Sequence, residues 1–127
     1  MRGFIAVAVA VVAAGSVALL AAVSVPSDFA LDAKLREPAR FALEKEAAVE
    51  VKIKGIKLVE PHAVGEKPKK GEGHLHYQVD SGPVIATTVT NMSFRELRPG
   101  KHQIKVTPAA NDNLPLGPAK LLEVTIP

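Results

Sequence analysis

His74 and His76 are the residues of this chain best placed to do chemistry. They stand one residue apart in Gly71-Glu72-Gly73-His74-Leu75-His76-Tyr77-Gln78-Val79-Asp80. On a β-strand, side chains two apart point the same way, about 6.6–6.8 Å apart along the chain. Two imidazoles at that spacing can reach one metal ion, and zinc and copper both accept imidazole nitrogen at about 2.0–2.1 Å. A lasting site needs a third or fourth donor. The default for such positions is a plain polar strand face, on which histidine is a tolerated surface residue titrating near pH ~6.5. A hydrogen-bonded structural pair is the remaining alternative.

Two further histidines bear on the question. His62 lies in the polar loop Pro61-His62-Ala63-Val64-Gly65-Glu66-Lys67-Pro68-Lys69-Lys70. In a two-sheet fold this loop and the loop 108–117 should reach the same end as His74. His62, Asn111 and Asp112 then approach the pair, so the candidate N/O site is His74, His76, His62 and Asp112. His102 is separate. It shares parity with Ile104 and Val106, and in antiparallel pairing it falls nearer Asp80. A His102–Asp80 hydrogen bond, or one to a turn carbonyl, is the structural expectation. The three lysines of the loop could touch anionic lipid head groups, but solvated lysines are the default.

Catalysis finds little footing. The chain has no cysteine, and no G-x-S-x-G, P-loop or dinucleotide fingerprint occurs. Ser81 and Ser93 have no base fixed beside them. Glu44 and Glu46 share a face next to Lys45 and read as ordinary surface. The expectation is that the protein is not an enzyme. Residues 26–127 hold 15 of the 16 basic residues and all 13 acidic ones, so this part is close to neutral. Its aromatics, Phe29, Phe41, Tyr77 and Phe94, are not interleaved with basic residues as a base-stacking platform requires. No nucleic-acid partner is expected.

The elements that must position the histidines follow from hydropathy. Residues 3–25 carry no charge and follow Arg2. A run of about 20 apolar residues can span a membrane, and a signal peptide needs an apolar core of about 7–15. Residues 1–25 therefore read as a hydrophobic helix that is either a signal peptide, cut after Ser24, or a retained N-terminal anchor. Both place the remainder outside the cytoplasm, in the periplasm or on the inner membrane. Without cysteine, the exported part must be held by apolar burial. Residues 26–46, with Pro26 and Pro38, read as a linker with room for one short helical turn, leading to a first edge strand near Ala39–Leu43.

From Ala47 the period is two. Val49, Val51 and Ile53 alternate with Glu50, Lys52 and Lys54, and the phase flips after Gly55, which suggests a β-bulge. Leu75, Tyr77 and Val79 alternate with His74, His76 and Gln78. Val84–Thr90 is β-branched, and Asn91–Leu97 is weaker. Ile104 and Val106, then Leu122, Val124 and Ile126, complete the inward set. About seven short strands separated by turn signals give an all-β fold over residues 47–127. An immunoglobulin-like antiparallel β-sandwich is the expected architecture, with a small closed barrel as the alternative.

Gly71-Glu72-Gly73-His74-Leu75-His76 with Asp80, followed by Leu97-Arg98-Pro99-Gly100-Lys101-His102, resembles an uncharacterised family of small exported bacterial immunoglobulin-like β-domains. That group carries G-x-G-H-x-H-x-x-x-D and then L-x-P-G-x-H, and the resemblance covers about residues 47–127. A histidine often stands in its loop before the last strand, where this chain has Asn113-Leu114-Pro115. The resemblance implies a fold and no activity. Two functions remain. One is a non-catalytic cell-envelope accessory domain that meets an unknown envelope protein or polymer. The alternative is a periplasmic domain that binds copper or zinc through the His-x-His strand.

Overall fold

The computed structural model describes residues 28–61 and 67–127. Within them the alternation resolves into two β-sheets sharing one core. β1 (Ala30–Leu35), β2 (Ala47–Lys54) and β6 (Asn91–Phe94) form the first sheet, in the order β1-β2-β6. The second sheet contains β3 (Lys57–Leu58), β4 (Glu72–Val79), β5 (Val84–Thr87), β7 (Gly100–Ala109) and β8 (Lys120–Ile126). β4 and β7 are its central pair. β8 lies beside β7, and β3 and β5 share the other edge of β4. Pairing is antiparallel throughout except for the two-residue β3–β4 contact, which is parallel.

Each long strand sends every second residue inward. Ala33 and Leu35, Val49 and Val51, Leu75 and Tyr77, Ile104 and Val106, and Leu122, Val124 and Ile126 form one buried cluster. Full burial of a Val, Leu or Ile side chain is worth about 1.5–3 kcal/mol. Slipping β2 by one residue would exchange its apolar set for Glu50 and Lys52, and slipping β7 would bring in Lys105, so the pattern fixes the register.

Tyr77 is the one large polar-tipped side chain in this cluster. Its hydroxyl donates to the Val89 carbonyl oxygen at 2.6 Å, and its ring lies 6.1 Å from that of Phe94. Burial pushes its phenol up to about 12, so it stays a donor. The contact ties β4 to residues 88–90, where the chain leaves β5 for β6 in the other sheet.

Three expectations change. The first edge strand is β1, at Ala30–Leu35, and it pairs with β2 along its whole length. Residues 28–46 are thus part of the fold rather than a linker. Residues 39–43 are not a strand: Pro38–Leu43 is a short helix, α1. Pro38 stands in its first turn, where a missing N–H and a preset φ cost nothing. Arg40 Nε donates to Glu37 Oε1 at 2.9 Å one turn back, and Leu43 is exposed. Gly55 is not a bulge but the point where the chain crosses from β2 in one sheet to β3 in the other. Its φ is +90°, and a Cβ there would stand 2.6 Å from Phe29 Cα. The predicted N-terminal signal or anchor helix lies outside the described residues. Among the described residues, no helix is long and apolar enough to cross a membrane.

At the turn after β4, Asp80 and His102 meet as the sequence suggests. His102 Nδ1 lies 2.7 Å from Asp80 Oδ2, and its Nε2 lies 2.7 Å from the Arg98 carbonyl oxygen. Both neighbours are acceptors, so both ring nitrogens donate when the imidazole is protonated. The Arg98 carbonyl, then Asp80, raise the His102 pKa above its ordinary value. Asp80 also accepts from the Gln103 backbone N–H at 2.9 Å, and this bond, then His102, holds its carboxyl below the usual range.

Two predictions follow from these contacts. Tyr77→Phe keeps the packing and loses one hydrogen bond, so denaturant unfolding should show a loss of about 1 kcal/mol, while Tyr77→Ala should lose about 3–5 kcal/mol through the cavity it leaves. For the His102–Asp80 pair, a raised histidine pKa stabilises below the unfolded value of about 6.5 and a lowered aspartate pKa stabilises above about 3.9. The pair's contribution is therefore complete between those limits. It fades as pH rises through the folded His102 value or falls through that of Asp80. His102→Gln should cost about 1 kcal/mol near pH 5, a figure reduced for the exposure of Asp80, and the gap to wild type should narrow as pH rises through the folded His102 value. Chemical unfolding across pH measures it.

Candidate functional site

The candidate site lies at the start of β4, on the face opposite Leu75 and Tyr77. Glu72, His74 and His76 occupy that face by alternation. Across the ladder His74 faces Ala109 and His76 faces Thr107 on β7, and on β5 His76 faces Ala86. The small alanines leave room above the sheet for two imidazole rings. Gly73, just before His74 in sequence, points to the other face, where a Cβ would stand 2.5 Å from the Ala109 carbonyl oxygen and 2.9 Å from Leu116 Cδ1. The glycine lets β7 and the loop after it close in at the level of His74.

That loop makes a roof. After Ala109 the chain turns back. The Asn113 N–H donates to the Ala110 carbonyl oxygen, the Ala110 N–H to Leu114 oxygen and the Leu116 N–H to Pro108 oxygen, each at 2.8 Å. Asn113 sits in the left-handed region, φ +69°, which asparagine tolerates better than most residues. Asn111 is 4% exposed, and its Nδ2 donates to Glu72 Oε1 at 3.2 Å, tying the loop to the start of β4.

Beneath this roof His74 is 0% exposed. The plain polar face expected for it is thus wrong: alternation gives its side of the sheet, but the loop covers that side. Its Nε2 lies 3.0 Å from His76 Nε2 and 3.0 Å from Asn113 Oδ1. The two rings are 4.8 Å apart between centroids and tilted by 53°. Burial first, and the neighbouring His76 second, lower the His74 pKa, against an opposing pull from Asn113. The ring is neutral at pH 7. Among the described residues its Nδ1 has no hydrogen-bond partner, so the single ring proton belongs on Nε2, where two acceptors stand. His76 is half-buried and reaches the edge of the roof.

The remaining predicted residues fare differently. Asp112 is not turned to the pair. Its Oδ1 accepts the Leu114 N–H at 3.1 Å and shapes the loop. His62 lies outside the described residues. His102 is tied to Asp80 and Arg98, away from His74. Among the described residues, no group of three or more His, Cys, Asp or Glu is arranged to hold a metal ion. The third donor beside the histidines is an amide, Asn113. Sequence reasoning reached the right loop and picked its neighbours. The signal that singles out Asn113 is its place one residue after Asp112, in a turn whose left-handed backbone asparagine tolerates.

His74 Nε2 thus has a second imidazole nitrogen and an amide oxygen each at 3.0 Å. Such a set can share a proton or coordinate a cation. It contains no nucleophile activated by a base. In comparisons with protein-family models, curated proteins and solved structures, nothing matches this chain, so the reading of the site rests on its geometry.

Proposed function

We propose that the chain is a non-catalytic, exported cell-envelope domain that binds a divalent copper or zinc ion through His74 and His76. The observation that carries this reading is the 3.0 Å separation of the two Nε2 atoms, one of them fully buried, with Asn113 Oδ1 equally close. Cis ligands with bonds of about 2.0–2.1 Å stand roughly 3 Å apart, so both imidazoles can meet one ion with little rearrangement. Metal at His74 Nε2 displaces the proton there and leaves the ring's proton on Nδ1, which lacks a partner among the described residues. An unpartnered buried N–H costs about 1–3 kcal/mol, against apparent affinities of about 10–16 kcal/mol for full four-ligand zinc sites. A sub-micromolar site is the expectation.

The strand order β1-β2-β6 against β5-β4-β7-β8, with crossovers between sheets after β2, β5 and β6, supports the immunoglobulin-like reading. The export reading rests on the uncharged run 3–25, and the family resemblance on the two histidine phrases. A second reading, an accessory domain that meets an envelope protein or polymer through a sheet edge, is favoured by one observation. Residues 81–94 contain no charge, and Val84, Ile85 and Val89 on that stretch are exposed, at 53%, 42% and 45%. Edge strands that stay unpaired in solution usually carry charge or proline.

Titration of the full chain with Cu(II) and with Zn(II), followed by histidine NMR, tests the first reading. The resonances of His74 and His76 should shift or broaden to completion at one equivalent while His102 stays unchanged. His76→Ala, at a half-buried position that should leave the fold intact, should weaken binding by about 100-fold or more, since loss of an outer-shell partner alone costs about 10–100-fold. No response of either ring at equimolar metal would remove the metal reading and leave the sheet edge as the functional surface.

A further inference from the structure

We infer that the end of the domain at which β1 begins is a docking face for an anionic bilayer surface, held there by the apolar run 3–25; this rests on the export reading above, with that run retained as an anchor. The first described residue is Asp28, and the strand pairing puts it among lysines. Ala30, which opens β1, faces Lys54, which closes β2. A Cβ on Gly55 would stand 2.6 Å from Phe29 Cα, and one on Gly117, in the loop after β7, 3.5 Å from Phe29 Cε2. Phe29 thus sits where the two sheets meet at this end. In the second sheet Lys57 pairs with Glu72, and its backbone N–H donates to the Gly71 carbonyl oxygen at 2.8 Å. The turn before β4 closes there, with the Glu72 N–H on the Lys69 carbonyl oxygen at 3.1 Å. Lys54, Lys57, Lys67, Lys69 and Lys70 are all exposed. Leu114, on the loop that roofs His74 at the same end, is 56% exposed.

The short connection between the apolar run and β1 decides which end meets the lipid. Val25 and Asp28 are three residues apart, at most about 11 Å when fully extended. The head-group layer on each side of the hydrocarbon core is about 5–8 Å thick. A tether of that length keeps this end at the surface. Lys45 and Lys101, also exposed, lie at the opposite end. The eight residues of β2 and of β4 separate the two ends, roughly 26 Å at about 3.3 Å per residue. Lysines close to an anionic leaflet are drawn to it. The carboxylates at this end are Asp28, Glu60, Glu72 and Asp112. Glu60 accepts from Thr88, Glu72 from the Asn111 amide and Asp112 from the Leu114 N–H, so these three are held to the protein. Because the tether already keeps the domain at the surface, the lysines have only to select its orientation, and a small surplus of positive charge is enough.

Lysine acylation reads the contact residue by residue. The full chain is reconstituted in vesicles of phosphatidylcholine alone and of phosphatidylcholine and phosphatidylglycerol in equal parts. Both are treated with a membrane-impermeant amine-acylating reagent and read by mass spectrometry. Lys54, Lys57, Lys69 and Lys70 should react about threefold or more slowly in the anionic vesicles, while Lys45 and Lys101 react alike in both. The protection should vanish at about 1 M salt, where the screening length is about 3 Å. In Lys69→Glu/Lys70→Glu, at exposed positions that leave the fold intact, Lys54 and Lys57 should react as they do in neutral vesicles. Equal rates in the two vesicle types, for a chain that resists alkaline extraction, would overturn this inference and leave the anchor reading standing. A chain that alkali releases from the vesicles would overturn both.

Discussion

A histidine with no exposed surface must find its polar partners inside the protein. His74 finds two, His76 and Asn113, both on the same nitrogen. This constraint organises one end of the molecule. It requires the loop after β7 to fold back over the sheet, because only that loop brings Asn113 within reach. It requires small residues, Ala86 and Ala109, beside the two rings, and no side chain at Gly73, so that backbone and loop can approach. The residues around the pair make sense as the consequence of burying one imidazole on what would otherwise be a wet face.

The other end of the second sheet shows the same residue type under the opposite conditions. His102 has an acceptor on each ring nitrogen and a carboxylate among them, so its environment favours the charged form. His74 is buried, with a second imidazole and an amide oxygen on one nitrogen and, among the described residues, nothing on the other, so its environment favours the neutral form. A neutral imidazole is the form in which histidine accepts a metal ion, here once the ring proton has moved from Nε2 to Nδ1. A doubly donating imidazolium is a structural clamp between Asp80 and the carbonyl of Arg98. The chain thus separates two roles of histidine by what surrounds each ring.

The two-sheet fold was legible because alternation is a strong signal wherever one face is buried. Leu75, Tyr77, Ile104, Val106, Leu122, Val124 and Ile126 all point inward as their parity requires. The His102–Asp80 contact was legible for the same reason, since register follows from parity and turn position. What was not legible depends on contacts between segments far apart in sequence. Ala30–Leu35 is a strand because it pairs with β2, and its charged flanks and nearby proline disguise it. Pro38–Leu43 is helical because Pro38 starts a turn, although its apolar residues fit a strand equally well. His74 looked exposed because alternation says which side of a sheet a residue takes, not whether a loop will cover that side. Asn113 was missed as a donor because acidic and imidazole side chains draw attention first, and its neighbour Asp112 is spent on the turn.

The central claim is that the space beside His74 Nε2 is a cation site rather than a plain hydrogen-bonded corner. Anomalous X-ray scattering from crystals of the copper-loaded protein tests it most directly. The account predicts a single strong peak about 2.0–2.1 Å from the Nε2 atoms of both His74 and His76, with Asn113 Oδ1 on its coordination sphere. Copper bound elsewhere on the surface, with the two imidazoles still in contact through a shared proton, would contradict it.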